Sequence, residues 1–268
     1  MRIIKDQLGR EITLKNIPKR IVSLVPSQTE LLCDLALENE LIGITKFCVH
    51  PFHLKATKTI VGGTKKVDLD KIKSLHPDFI LCNKEENSYA FLPELEKIAP
   101  TYFSNVNSIE DSINLIAELG NILNRRTEAS NLIDKINFKL NDFKNFIKDK
   151  PIRKVAYLIW ANPWMVAGNE TYINEILKLN KFENIYANMS RYPKIEIHKI
   201  RNEGDPDVII LSSEPFPFKD EHAMEIATYT NRSITVFGDG ELFSWFGSRL
   251  LLSFDYFKEL HKKLESHF

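Results

Sequence analysis

Cysteine is scarce in this chain: there are three, Cys33, Cys48 and Cys82, an odd number at wide spacing. That excludes a disulfide framework. Cys33 and Cys82 lie in apolar runs and read as small core residues of a protein in a reducing compartment. An excess of either charge is also missing, since Lys+Arg and Asp+Glu are both 36. A neutral chain has no global attraction to nucleic acid, and no basic stripe interleaved with aromatics occurs. Apolar runs such as residues 208–211 are far too short to span a membrane. Catalytic signatures are lacking as well. There is no Gly-x-Ser-x-Gly elbow, no phosphate-binding Gly-rich loop, no His-Glu-x-x-His and no dinucleotide fingerprint. The expectation is a binding protein, not an enzyme, with no nucleic-acid partner and no membrane span.

The opening residues, Met1-Arg2-Ile3-Ile4-Lys5-Asp6, hold no apolar leader of the secretory kind. They predict cytoplasmic residence. The alternative is a periplasmic or lipid-anchored protein whose leader has been removed.

Strand and helix patterns then alternate. Residues 3–4 and 11–14 flank a turn at Gly9 and read as a small hairpin. Residues 20–25 are a buried strand. Ser27 with Glu30 three positions later forms a capping-box pattern, which predicts a helix start there. Strands follow at 41–44 and 79–82, with helices at 69–75 and 92–98. Such alternation with short connections predicts a parallel sheet covered on both faces.

Residues 108–148 contain no proline, and their apolar positions recur at helical spacing. Residues 127–148 predict one helix roughly 33 Å long. Beyond Pro151 the alternation resumes, with strands at 154–159, 208–211 and 233–236 and helices at 172–179 and 248–266. The halves resemble each other. His76-Pro77-Asp78-Phe79-Ile80-Leu81 matches Asp205-Pro206-Asp207-Val208-Ile209-Ile210, and residues 20–24 match 153–158 at nearly the same offset. The predicted architecture is two similar α/β lobes, each with a parallel sheet flanked by helices, joined by one long backbone helix. The boundaries are 1–124 for the first lobe, 125–150 for the helix and 151–268 for the second lobe.

Several motifs carry a family resemblance. Arg20-Ile21-Val22-Ser23-Leu24-Val25-Pro26-Ser27-Gln28-Thr29-Glu30 resembles the opening of the helical-backbone (class III) substrate-binding proteins of ABC importers. Asn83-Lys84-Glu85-Glu86-Asn87, Asn162-Pro163-Trp164-Met165-Val166-Ala167-Gly168 and Trp245-Phe246-Gly247-Ser248-Arg249 resemble its cobalamin and ferric-siderophore branch. The resemblance implies a metal-centred chelate, cobalamin, haem or a ferric siderophore, held between rigidly joined lobes that close little. It implies no tightly bound cofactor. It also implies an ABC permease partner, docked through one acidic residue on each lobe. Asp70 fits the first lobe. In the second lobe the place falls near His198, with Glu196 close by.

Ligands of open α/β sheets bind beyond the carboxyl ends of the strands. The candidate ligand contacts are accordingly His50, Lys65, Glu85, Glu86, Trp164, Glu214, Phe243, Trp245 and Arg249. Trp164 and Trp245 supply aromatic faces for a flat chelate. Glu85, Glu86 and Glu214 supply carboxylates. Arg249 supplies a charge-assisted donor, or braces its loop through Asp239 or Glu241. His50, between Cys48 and His53, is the candidate metal ligand, although Cys-x-His-x-x-His is no standard zinc spacing. Two other readings stay open: a cytoplasmic metal-dependent enzyme or cofactor-handling protein on the same scaffold, and a binder of a bare cation.

Overall fold

A computed structural model describes residues 1–267. The chain divides into two compact units. The first comprises Met1–Ile136 and Phe246–Arg249, and the second comprises Asn137–Trp245 and the chain from Leu250 onward.

In the first unit, β1 (Arg2–Lys5) and β2 (Glu11–Leu14) form the expected antiparallel hairpin. The main sheet joins β3 (Ile21–Ser23), β4 (Leu41–Ile44), β5 (Thr59–Ile60), β6 (Phe79–Asn83) and β7 (Thr101–Ser104) in the order β5-β4-β3-β6-β7, every pairing parallel. Helices α1 (Pro26–Asp34), α2 (Leu54–Thr57), α3 (Leu69–Ser74), α4 (Leu92–Glu96) and α5 (Ile109–Ile122) connect these strands or follow them. A strand covered on both faces reads as a nearly continuous apolar run, and β6 is buried at every position, polar only at its last residue, Asn83. Each aliphatic side chain buried in this way contributes about 1.5–3 kcal/mol.

Helix α1 begins two residues earlier than the capping-box pattern predicts, with Val25 rather than Ser27 at its N-cap. Pro26 occupies its first turn, and Val25 at the N-cap makes no side-chain cap bond. Proline is pre-organised for that place, so Ser27 and Glu30 are released from capping. Side-chain caps do form elsewhere. Asp68 accepts from the backbone N–H of Lys71 at α3 (3.0 Å), and Ser108 accepts from that of Asp111 at α5 (3.0 Å).

Helix α6 (Arg126–Ile147) is the long helix that the apolar spacing predicts, and the boundary between the units falls within it. The second unit's sheet joins β8 (Arg153–Trp160), β9 (Met165–Val166), β10 (Phe182–Asn184), β11 (Val208–Ser212) and β12 (Ile234–Gly238). The order is β10-β8-β11-β12, all parallel, with β9 antiparallel against β8. Its helices are α7 (Tyr172–Leu179), α8 (Ile200–Glu203), α9 (Asp220–Ala227), α10 (Gly240–Ser244) and α11 (Leu250–Glu265). The fold is the expected one: α/β, with parallel sheets flanked by helices and one long connecting helix.

The repeated Pro-Asp motif has one structural job in both units. The Asp78 carboxylate accepts from the backbone N–H groups of Lys19 (2.9 Å) and Arg20 (2.8 Å), just before β3. The Asp207 carboxylate accepts from that of Lys154 (2.7 Å), at the start of β8. Each aspartate, one residue ahead of its own strand, pins the entry of the neighbouring strand.

Candidate functional site

Each unit carries its own set of candidate residues at the carboxyl ends of its strands. In the first unit the loop after β4 holds Cys48, His50 and His53, and the three diverge. Cys48 is buried, its thiol between the Thr29 (3.1 Å) and Thr45 (3.3 Å) hydroxyls. His53 pairs with the exposed Glu38 at 2.8 Å. His50 is half-buried. Among the described residues no group of three His, Cys, Asp or Glu side chains is arranged to hold a metal ion, so the bare-cation reading has no coordinating set. Cys33 is half-buried rather than in the core, and burial pushes its thiol up to about 12.

The loop after β6 is pinned from below. The side-chain oxygen of buried Asn83 accepts from the backbone N–H groups of Glu85 (2.8 Å) and Glu86 (3.1 Å). Buried Asn87 accepts from the Asn83 N–H (2.8 Å) and donates to the carbonyls of Leu24 (3.1 Å) and Thr64 (3.0 Å). Three loops are thereby locked together by one amide. Lys65 is exposed, and its ammonium donates to the Glu85 carbonyl. Glu86 is half-exposed at the surface but crowded by protein. That burial pushes its carboxyl up, opposed by the Lys65 charge and reinforced by Glu85.

Arg249 is 7% exposed, and its Nε donates to Glu30 Oε2 at 2.9 Å. Burial pushes the Glu30 carboxyl up, against the pull of Arg249 and His50. Glu30 is the bracing anion that the sequence reading missed. Asp239 caps α10 by accepting from the Leu242 N–H at 3.2 Å.

In the second unit two expected ligand contacts are core residues. Phe243 is 0% exposed, with its ring 5.0 Å from Tyr157 and 4.9 Å from Phe257. Trp164 is 8% exposed and belongs to a buried cluster with Val166, Ile200 and Leu211. Its indole stacks on Phe218 at 6.0 Å, 19° from parallel. Strand β9 causes this burial, because its pairing with β8 folds the loop back on its own sheet. Gly168 makes the same fold-back possible by close approach rather than by a turn. A Cβ there would collide with the Met189 carbonyl, and its N–H donates to Arg191 at 2.8 Å.

An aromatic at a strand's carboxyl end that does reach the surface is Trp160, the last residue of β8, 39% exposed and 5.3 Å from Phe216. Its signal was legible, since Trp160 lies immediately past the predicted strand end. Phe216 in turn contacts Phe218 (4.9 Å) and His222 (5.2 Å). His222 is buried, and its Nδ1 accepts from the Lys219 N–H at 3.0 Å, a helix-capping role rather than a metal-binding one. Trp245 is as buried as Trp164, 8% exposed, and its Nε1 donates to Glu214 Oε1 at 2.8 Å. Ser244 donates to the same oxygen at 3.2 Å. Glu214 therefore holds Trp245 and the start of the following loop in place.

The two docking candidates lie on the surface. Asp70 is exposed in the first turn of α3. Glu196 is exposed, 2.8 Å from Lys199 and 3.5 Å from His198, and the hydrogen bond and charge of Lys199 hold its carboxyl below the usual range.

Comparison with known proteins places this geometry in a class. The profile of the "periplasmic binding protein" family matches residues 21–230, and the chain belongs to that family. Its members bind solutes, in keeping with the expectation of a binding protein rather than an enzyme. The chain is 26% identical to an uncharacterised ABC transporter substrate-binding lipoprotein, YvrC of Bacillus subtilis, over 78% of this chain and 68% of that protein. It is 22% identical to the vitamin B12-binding protein of Vibrio parahaemolyticus, over 75% and 74%. Among solved structures it matches the periplasmic haem-binding protein RhuT of Roseiflexus with a TM-score of 0.80 at 15% identity, over 93% and 98%, a likeness of fold. Among the described residues no helix is long and apolar enough to cross a membrane.

Proposed function

We propose that the protein is the substrate-binding component of an ABC importer and that its cargo is a metal-centred chelate of the cobalamin, haem or ferric-siderophore type. One observation carries the site: Trp160, a large indole left open at the carboxyl end of a central strand and braced by Phe216. Burying an indole is strongly favourable, and a flat apolar ligand offers the missing cover. The vitamin B12-binding and haem-binding proteins similar to this chain support the ligand class. In the first unit His50, Lys65, Glu85 and Glu86 supply polar contacts. Glu214 and Arg249 act by bracing Trp245 and Glu30.

We also favour residence outside the cytoplasm, exported or lipid-anchored, supported by the lipoprotein relative. Fractionation of cells carrying the native gene tests it, and recovery in the cytosol would overturn it. Asp70 is our candidate for the permease contact. Asp70→Ala should retain ligand binding yet fail to stimulate the partner ATPase.

The test of the site is titration with cyanocobalamin, haemin and ferric citrate, followed by indole fluorescence. Trp160→Ala should weaken the bound chelate roughly tenfold, the loss of one aromatic face and its buried area, and leave the melting temperature nearly unchanged. Trp164→Ala should do the reverse, costing about 3–5 kcal/mol of stability. A Trp160→Ala protein that binds every chelate as tightly as the parent removes the platform from the site.

A further inference from the structure

The loop that carries Lys65 and Lys66 opens a recess in the first unit. Its volume is about 840 Å³, and it is lined by Lys46, Phe47 and residues 62–70. That is the size of a small-molecule pocket, roughly 300–1,000 Å³. The loop is stiff. The Gly63 N–H donates to the Lys66 carbonyl at 2.8 Å, and Gly62 bridges to Val67. Gly62 has φ +105, and a Cβ there would meet the Lys66 carbonyl at 2.7 Å, so only glycine permits this hairpin. Buried Asn87 holds the tip through the Thr64 carbonyl at 3.0 Å. The lysines therefore hang on backbone that is already ordered, which spares a ligand the cost of ordering it.

The charge on this frame is unbalanced. Among the residues lining the recess three lysines, Lys46, Lys65 and Lys66, outnumber two aspartates, Asp68 and Asp70, and Glu86 lies near enough to Lys65 to feel its charge. Asp68 already accepts from the Lys71 N–H at 3.0 Å. Lys46 lies 5.0 Å from the Phe47 ring centre, and Lys65 donates to a backbone carbonyl. Among the described residues none of the three lysines forms an ion pair. The Phe47 ring is half-exposed beside them and offers an apolar face.

We propose that this recess takes the anionic groups of the ligand, and that the cargo is a metal chelate bearing free carboxylates in preference to one with an uncharged carboxamide periphery. This rests on the chelate-binding reading above and narrows it. Ammonium–carboxylate bonds formed on a fixed frame at a half-covered surface strengthen binding and are weakened by salt.

The test uses the full chain and three probes, ferric citrate, haemin and cyanocobalamin, each titrated at low and at physiological ionic strength. The comparison is with the triple variant Lys46→Gln, Lys65→Gln, Lys66→Gln, whose melting temperature is checked in parallel. The expected result has two parts. A carboxylate-bearing probe binds at least about tenfold more tightly than cyanocobalamin, and salt or the triple variant removes that advantage. Cyanocobalamin binding falls far less than that of the anionic chelates, since it loses only the Lys65 contact. Tightest binding of cyanocobalamin, or undiminished binding of the anionic chelates by the variant, overturns the proposal and leaves the chelate reading standing. Failure of all three probes to bind overturns both.

Discussion

His261 is a residue whose protonation bears on the folded state. It is fully buried on α11, stacked 4.9 Å from Phe182, with Nε2 3.2 Å from the Asn180 side-chain oxygen. Its Nδ1 has no hydrogen-bond partner. Burial, with Arg153 and Lys150 adding to it against Glu265, lowers its pKa from 6.5 to about 4. The unfolded chain therefore takes up a proton first. Stability is intact above about pH 6.5 and falls as the pH drops toward 4, by about 3 kcal/mol in all. Urea melts between pH 7 and pH 4 should show this loss, and His261→Phe should flatten it. A variant that follows the parent over the whole range would assign the acid sensitivity elsewhere. The same scale shows the limits of the sequence reading. Trp160 and Trp164 look alike in a proline-containing loop, and only the pairing of β9 with β8 tells which is covered. Arg249 and Glu30 lie 219 positions apart, and nothing local links them.

Elements with a strong period were legible. Helix α7 occupies the predicted residues, and α6 begins and ends within a residue of its expected bounds. What escaped were elements defined by partners rather than by pattern. Strands β5, β9 and β10 are two or three residues long, too short to show any periodicity. The capping box at Ser27 was a valid local signal overridden by Pro26. The Pro-Asp repeat was visible as similarity, but its purpose needed coordinates. Removing a carboxylate that holds two backbone donors costs about 1–3 kcal/mol. Asp78→Ala should therefore lower the urea midpoint clearly. Asp207→Ala, which frees a single backbone donor, should lower it less. Equal effects, or none, would mean that water replaces these bonds without cost.

At the scale of the molecule the two-unit α/β repeat was legible in the pattern, and the class in the resemblance of motifs such as residues 20–30 and 245–249 to a known family. The composition of each unit was not, because a run of four residues distant in sequence, Phe246–Arg249, belongs to the first unit. The Gly247 N–H donates to the Ser112 hydroxyl at 2.8 Å, and Arg249 meets Glu30. A fragment of residues 1–150 should show faster amide exchange in α1 than the full chain, and the rate should return when residues 151–268 are supplied in trans. Exchange equally slow in the fragment alone would make the four-residue segment dispensable. During synthesis the consequence is one of timing. When the ribosome has delivered residue 136, Glu30 still waits for an arginine more than a hundred codons away. The first unit can begin to fold early, but it is completed only when the chain is nearly finished.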